Sequence, residues 1–221
     1  MLDQRPFRPA WWLRNRHLQT LWASRVRARP AVDITWEAIE TDDGDFFDVA
    51  WTVDRGGPVT QVIHGLEGSV RSSYACGIAA ALSQRGYTVA VQHFRGCGKD
   101  LNQRDRTYHA GDTGDIHHFA NVLKERLPGR PHAIVGYSLG GNQVLKWLGE
   151  QGDNAPVDCA VAVSVPFDLF ASAAALESGI SRLYQRYLVN QLYEKVSGKF
   201  AHHAAPPVDV TSVSPGSSFT E

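Results

Sequence analysis

Between two glycines, directly behind the apolar run Ala133 to Val135, the chain carries a serine: Gly136-Tyr137-Ser138-Leu139-Gly140. An apolar run, then a serine flanked by small residues, then a helix-compatible stretch reads as a nucleophile elbow, a turn sharp enough to lift the hydroxyl clear of a sheet. This demands a strand before the serine and a helix after it, and so restricts the chain to folds that alternate the two. Ser138 is the candidate nucleophile. The Leu139 amide, at the helix start, is a candidate oxyanion donor favoured by the helix dipole. In such sites the acid and the histidine follow the serine in chain order, and little chain follows Ser138.

Strand and helix patterns surround the elbow as that restriction requires. Ile34 to Glu40 and Phe46 to Val53 alternate apolar residues around Asp42-Asp43-Gly44, which predicts a hairpin. After Gly56-Gly57-Pro58, the run Val59 to Ile63 leads into His64-Gly65-Leu66-Glu67-Gly68 and a helix from about Tyr74 to Gln84. Thr88 to His93 predicts another strand, followed by a long polar loop from Phe94 to Gly111 and a helix capped at Asp112 or Thr113. A helix from Gly141 to Gln151 and an apolar strand, Val157 to Val165, come after the elbow. The alternation implies a mainly parallel α/β sheet flanked by helices.

The composition, 43% hydrophobic and 20% charged, is enough for one sizeable core in 221 residues. The segments read as an N-terminal strap (1-30), an α/β core (31-168), a helical cap (169-200) and a loop or disordered tail (201-221). A net charge of -1 gives no nucleic-acid footprint. Three scattered cysteines, Cys76, Cys97 and Cys159, without CxxC spacing and without a secretory h-region behind Met1, predict a cytoplasmic protein. The strap is aromatic and basic together. His17, Gln19 and Thr20 interrupt its apolar face, so it reads as a segment laid over the core, with peripheral membrane contact through Trp11, Trp12 and Trp22 as the alternative.

The His64-Gly65-Leu66 loop follows an early strand and carries the small residues that let an amide face the elbow. Leu66 is therefore the second candidate oxyanion donor, with Gly65 as the alternative, while Gly65, Gly136 and Gly140 supply close backbone approach. His64 precedes the elbow and reads as a hydrogen-bonder within its loop. A phosphate loop at Gly98-Lys99 would need glycine where His93 stands and serine or threonine where Asp100 stands. The paired histidines His117-His118 and His202-His203 lack metal-ligand spacing, so neither a metal nor an organic cofactor is expected. Arg95, Arg104, Arg106, Tyr108, His109 and Asp112 are expected to brace the long loop.

Several stretches together resemble the YheT-type branch of the α/β-hydrolase superfamily, a family of esterase- and monoacylglycerol-lipase-like proteins. They are Trp12-Leu13-Arg14-Asn15 with His17-Leu18-Gln19-Thr20, Asp43-Gly44-Asp45-Phe46, His64 to Ser69, Phe94-Arg95-Gly96-Cys97, Tyr108 to Asp112, and Gly136 to Asn142. The resemblance runs from about Pro6 to Phe200. It implies an α/β-hydrolase fold and hydrolysis of a small-molecule ester through an acyl-enzyme at Ser138. It also implies a triad aspartate and histidine on loops after two further strands, which this chain lacks. The chain thus reads as a C-terminally truncated member without the last strands of the fold.

Within the remaining chain the triad candidates are Asp168, His202 and His203; the plainer readings are a helix cap for Asp168 and surface positions for the histidines. The cap is expected to present Leu176, Ile180, Leu183 and Tyr187 to an acyl chain. The alternative function is a non-catalytic hydrolase-fold protein or binding module without a working triad. Its Val157 to Val165 strand, at a sheet edge, would favour self-association.

Overall fold

A computed structural model describes residues 8–200 of the chain. Six strands form one sheet: β1 (Ile34–Glu40), β2 (Phe46–Thr52), β3 (Val59–Ile63), β4 (Thr88–Gln92), β5 (His132–Tyr137) and β6 (Cys159–Val163), in spatial order β1-β2-β4-β3-β5-β6. The hairpin strands pair antiparallel with each other, and β2 pairs antiparallel with β4, while β4, β3, β5 and β6 run parallel. All five residues of β3 and all five of β4 are buried, as expected for central strands covered on both faces.

The alternation along these strands sorts the core into layers. Val62, Val89 and Val91 point to one face and pack with Ala79 of α2 (Ser73–Ser83). Ile63 and Ile134 point to the other, with Ile116 and Ala120 of α3 (Gly114–Arg126) and Val144 and Trp147 of α4 (Leu139–Gln151). Small residues dominate α2, which lets it lie close to the sheet. The hairpin adds Phe47, packed edge-on to Phe119 of α3.

At the mouth of the sheet a charged knot secures the long loop. Arg95, 2% exposed, grips Asp115 with two parallel hydrogen bonds (2.8 and 2.7 Å) and reaches Asp43 at 2.7 Å and Asp45 at 3.1 Å. The knot joins the hairpin turn to the first turn of α3. Arg106 pairs with Asp112 at 2.7 Å, and Asp45 also accepts from Asn102 Nδ2 and the Gln103 amide. The Asp43 carboxyl is held far below the usual carboxylate range, chiefly by its hydrogen bond from Arg95.

Three boundaries differ from the sequence reading. Strand β6 is shorter than Val157 to Val165, because its ladder with β5 closes at Tyr137↔Val163. The cap segment is two helices, α5 (Leu169–Leu176) and α6 (Ser181–Phe200), separated near Gly179, whose φ of 56° interrupts helical continuation. The N-terminal segment forms a short helix, α1 (Arg16–Leu21), followed by a π turn at Trp22–Val26, and buries none of the α1 residues. The tail, with His202 and His203, lies outside the described residues.

Candidate active site

Strand β5 delivers Gly136 and Tyr137 to the sheet's mouth, and the chain turns at Ser138 into α4. Ser138 sits at φ 52°, ψ -117°, a left-handed conformation that L residues avoid. Two backbone bonds hold it there: its amide donates to Val163 O at 2.8 Å, and its carbonyl accepts from Asn142 N at 3.0 Å. The side chain is exposed.

The flanking glycines are sterically required. A methyl built on Gly136 would lie 2.5 Å from Gly140 O, and one on Gly140 would overlap His64 O and stand 2.8 Å from Ile63 O. The elbow therefore rests on the β3 loop with backbone against backbone. A methyl on Gly65 would stand 3.2 Å from Ser138 Cβ, which places the two loops in contact.

Two amides near this point are unpaired. Among the described residues neither Leu66 N–H nor Leu139 N–H has a hydrogen-bond partner, the latter being one of the unpaired donors at the start of α4. Gly65 N–H instead donates to Tyr74 Oη at 2.9 Å, so its capacity is spent and Leu66 is left as the available donor on that loop. Tyr74 also packs against Tyr137, with ring centroids 4.6 Å apart.

The Leu66 loop is anchored by contacts that sequence spacing does not record. Glu67, at φ 49°, donates its amide to Tyr108 Oη at 3.0 Å, while its carboxylate accepts from Tyr108 Oη at 2.5 Å and from Lys195 Nζ of α6 at 2.7 Å. Lys195 also lies 4.5 Å over the Tyr108 ring and donates to Cys97 Sγ at 2.7 Å. Burial pushes the Cys97 thiol up to about 11. Beside this clamp is a pocket of about 260 Å³, lined by Leu66 and Leu139 together with Tyr108, His109, Leu192 and Val196.

Histidines near the loop are structural. His64 is fully buried; its Nε2 accepts from Phe94 N–H at 3.2 Å, so Nδ1 carries the proton and donates to Gly65 O at 2.7 Å. Burial, and then the neighbouring His93, pull it down to about 3. His93 is arranged likewise, accepting from Val70 N–H at Nε2 and facing Asp48 O with Nδ1, and burial lowers it to about 4. With both ring nitrogens occupied, neither is placed to take a proton from Ser138.

Asp168 takes the position of its plainer reading. It caps α5, accepting from Ala171 N–H at 2.8 Å. Of the expected cap residues, Ile180, Leu183 and Tyr187 line a second cleft, of about 550 Å³, with Tyr74 on its wall; Leu176 does not line it. The elbow pocket takes Leu192 and Val196 from the next turns of the same helix. Tyr74, nine residues beyond Gly65, and Tyr108, a residue of the long loop, gather beside the elbow with Lys195, which comes from a distant helix that the sequence reading did not connect to it.

Comparison with known proteins agrees with this fold. A family description for the alpha/beta hydrolase fold matches residues 62–207. The YheT protein of Escherichia coli (strain K12), which carries a provisional esterase name, is 42% identical over 88% of this chain and 58% of its own. A monoacylglycerol lipase of Saccharomyces cerevisiae is 34% identical over 65% of this chain and 32% of its own. The chain thus spans little more than half the length of the first relative and about a third of the second. Among solved structures, the Pyrococcus furiosus esterase Pf2001 superposes with a TM-score of 0.56 at 19% identity, over 85% of this chain and 71% of that one.

Proposed function

The chain belongs to the α/β-hydrolase fold family, and from that premise we propose that it is a serine-dependent carboxylic ester hydrolase, acting on a short-chain ester or a monoacylglycerol through an acyl-enzyme at Ser138. The observation that carries this reading is the strained, exposed Ser138 in contact with the Gly65 loop, with the Leu66 and Leu139 amides unpaired among the described residues and both residues on the wall of one pocket. Strain of this kind is held in place only where the surroundings over-determine it, and it concentrates at functional sites.

In the proposed reaction Ser138 Oγ attacks the acyl carbonyl and gives up its proton to a base. The Leu66 and Leu139 N–H groups hold the tetrahedral oxyanion; a donor pair of this type is worth about 10² to 10³ in rate per donor. Collapse expels the alcohol, and water then releases the acid from the serine ester. The apolar pocket beside the donors, with Leu139, Leu192 and Val196 on its walls, fits a hydrocarbon chain better than a charged group.

A second reading is favoured by Asp168 serving as a helix cap and by His64 and His93 being fully engaged: the chain then carries the acylating half of a site and acts as a binding module. Burst kinetics with p-nitrophenyl acetate and butyrate separate the two. A burst that disappears in Ser138→Ala supports the hydrolase. Equal rates for both proteins, without a burst, refute it in favour of the module.

A further inference from the structure

The N-terminal helix leaves most of an apolar stripe in solvent. Leu18, Leu21 and Trp22 recur at i, i+3 and i+4, so they share one side of α1, with Val26 about one turn further on. All four are exposed, from 40% for Trp22 to 60% for Val26. His17 and Thr20 lie on the side towards α6: His17 stacks on Tyr184 of α6 and meets its hydroxyl at 3.4 Å, while Thr20 and Ser24, with Leu21 at the edge, line the cleft that α1 shares with α6. A surface helix of a globular domain normally turns its apolar stripe inward. Here Leu18, Trp22 and Val26 are turned to solvent, and Leu21, 43% exposed, stands at the rim of the cleft.

Charge identifies what covers that side. From Arg8 to Val32 the sequence contains six arginines, Arg8, Arg14, Arg16, Arg25, Arg27 and Arg29, and no aspartate or glutamate. Arg14, Arg16, Arg27 and Arg29 are exposed, and none pairs with an acidic group among the described residues. Tryptophan adds a third element, since indoles favour the boundary between water and hydrocarbon. Trp11 is 81% exposed, and Trp12 meets Trp22 edge-on at 4.8 Å. A second copy of the chain would bring the same arginines against these and be repelled. An anionic surface with an apolar interior satisfies both the stripe and the charges.

We propose that the outward side of α1 and its π turn, continued by Ile180, Leu183 and Tyr187 on the rim of α6, docks on an anionic lipid surface. No helix among the described residues is long and apolar enough to cross a membrane, so the contact is interfacial. Each arginine near such a surface strengthens binding about fivefold. The docked face surrounds the mouth of the α1–α6 cleft, whose wall includes Tyr74, the residue bonded to the Gly65 amide. The proposal stands independently of turnover at Ser138.

The test is co-sedimentation of the full chain with vesicles of phosphatidylcholine alone and of phosphatidylcholine with one-quarter phosphatidylglycerol, at low and physiological salt. Two variants accompany it: Leu18→Asp with Trp22→Asp, and Arg14→Glu with Arg16→Glu. All four positions are exposed, and melting curves verify that each variant folds. The expected result is binding to the anionic vesicles alone, weakened by salt and reduced about tenfold or more in both variants. The proposal is overturned by absence of binding to anionic vesicles, by equal binding to neutral ones, or by binding that either variant retains in full. It is also overturned by a dimer that Leu18→Asp with Trp22→Asp converts to monomer, which would show that a second copy occupies the face.

Discussion

Replacing Ser138 with glycine should make the protein more stable while abolishing acylation. Ser138 is held at φ 52°, ψ -117°, and a residue kept in such a region costs about 1 to 3 kcal/mol. Glycine enters it freely but loses more chain entropy on folding, about 0.5 to 1 kcal/mol. The difference leaves up to about 2.5 kcal/mol in favour of Ser138→Gly. In a chain of this size each kcal/mol moves the melting temperature by about 2 to 4 °C, so the expected rise is at most about 10 °C. Ser138→Ala is the control, because alanine keeps the strained backbone and loses only a hydroxyl that has no partner among the described residues. The assay is thermal unfolding of the three proteins followed by circular dichroism, beside their p-nitrophenyl ester kinetics. Both variants should lose any burst, and only the glycine variant should melt above the parent. A glycine variant that melts no higher than the alanine variant would refute the assignment of strain to this residue.

Three other expectations follow from the same structure. Arg95→Met leaves Asp43, Asp45 and Asp115 facing one another without their shared cation, at about 3 to 5 kcal/mol, or about 6 to 20 °C in melting temperature. Because the Arg95 hydrogen bond holds Asp43 low, that stability is present at neutral pH and lost as pH falls through the folded carboxyl's range; the gap between variant and parent should therefore narrow in acid, and a constant gap would refute the account. His64 and His93 stay neutral down to about 3 and about 4 in the fold, whereas unfolded histidine binds its proton near 6.5. Stability should thus decline from about pH 6.5 towards about pH 4, by up to about 1.4 kcal/mol per pH unit for each histidine, and His93→Gln should flatten the slope of melting temperature against pH; an unchanged slope counts against it. Strand β6 exposes Cys159, Ala160 and Val161 at an edge of the sheet, so the chain should associate with rising concentration and Val161→Lys should suppress this; a monomer at every concentration in sedimentation velocity would exclude it.

The hairpin, β3, β4 and the elbow strand were legible in the sequence because their signals are local: alternation around Asp42-Asp43-Gly44, and apolar runs ending at glycine. The elbow was legible for the same reason, since tight backbone packing at Gly136 and Gly140 admits no side chain. What surrounds Leu66 was not legible. Glu67 meets Lys195 across most of the chain, and the Tyr74 hydroxyl that occupies the Gly65 amide comes from a different helix. No spacing rule records such contacts. The orientation of α1 was hidden differently, because periodicity defines an apolar stripe without saying which way it turns, and the contact of His17 with Tyr184 decides it.

Strands β3 and β5 are neighbours, and Ile63 pairs with Gly136 in their ladder. The loop bearing Leu66 and the turn bearing Ser138 therefore leave the sheet from adjoining rungs. A slip of one residue between the two strands would displace donor from serine by about 3.3 Å and turn each side chain to the opposite face, driving Val62 into the layer packed by α3 and α4 and Ile63 into the layer packed by α2. A misaligned site would thus require a misfolded core, so quality control of the sheet is also quality control of the chemistry.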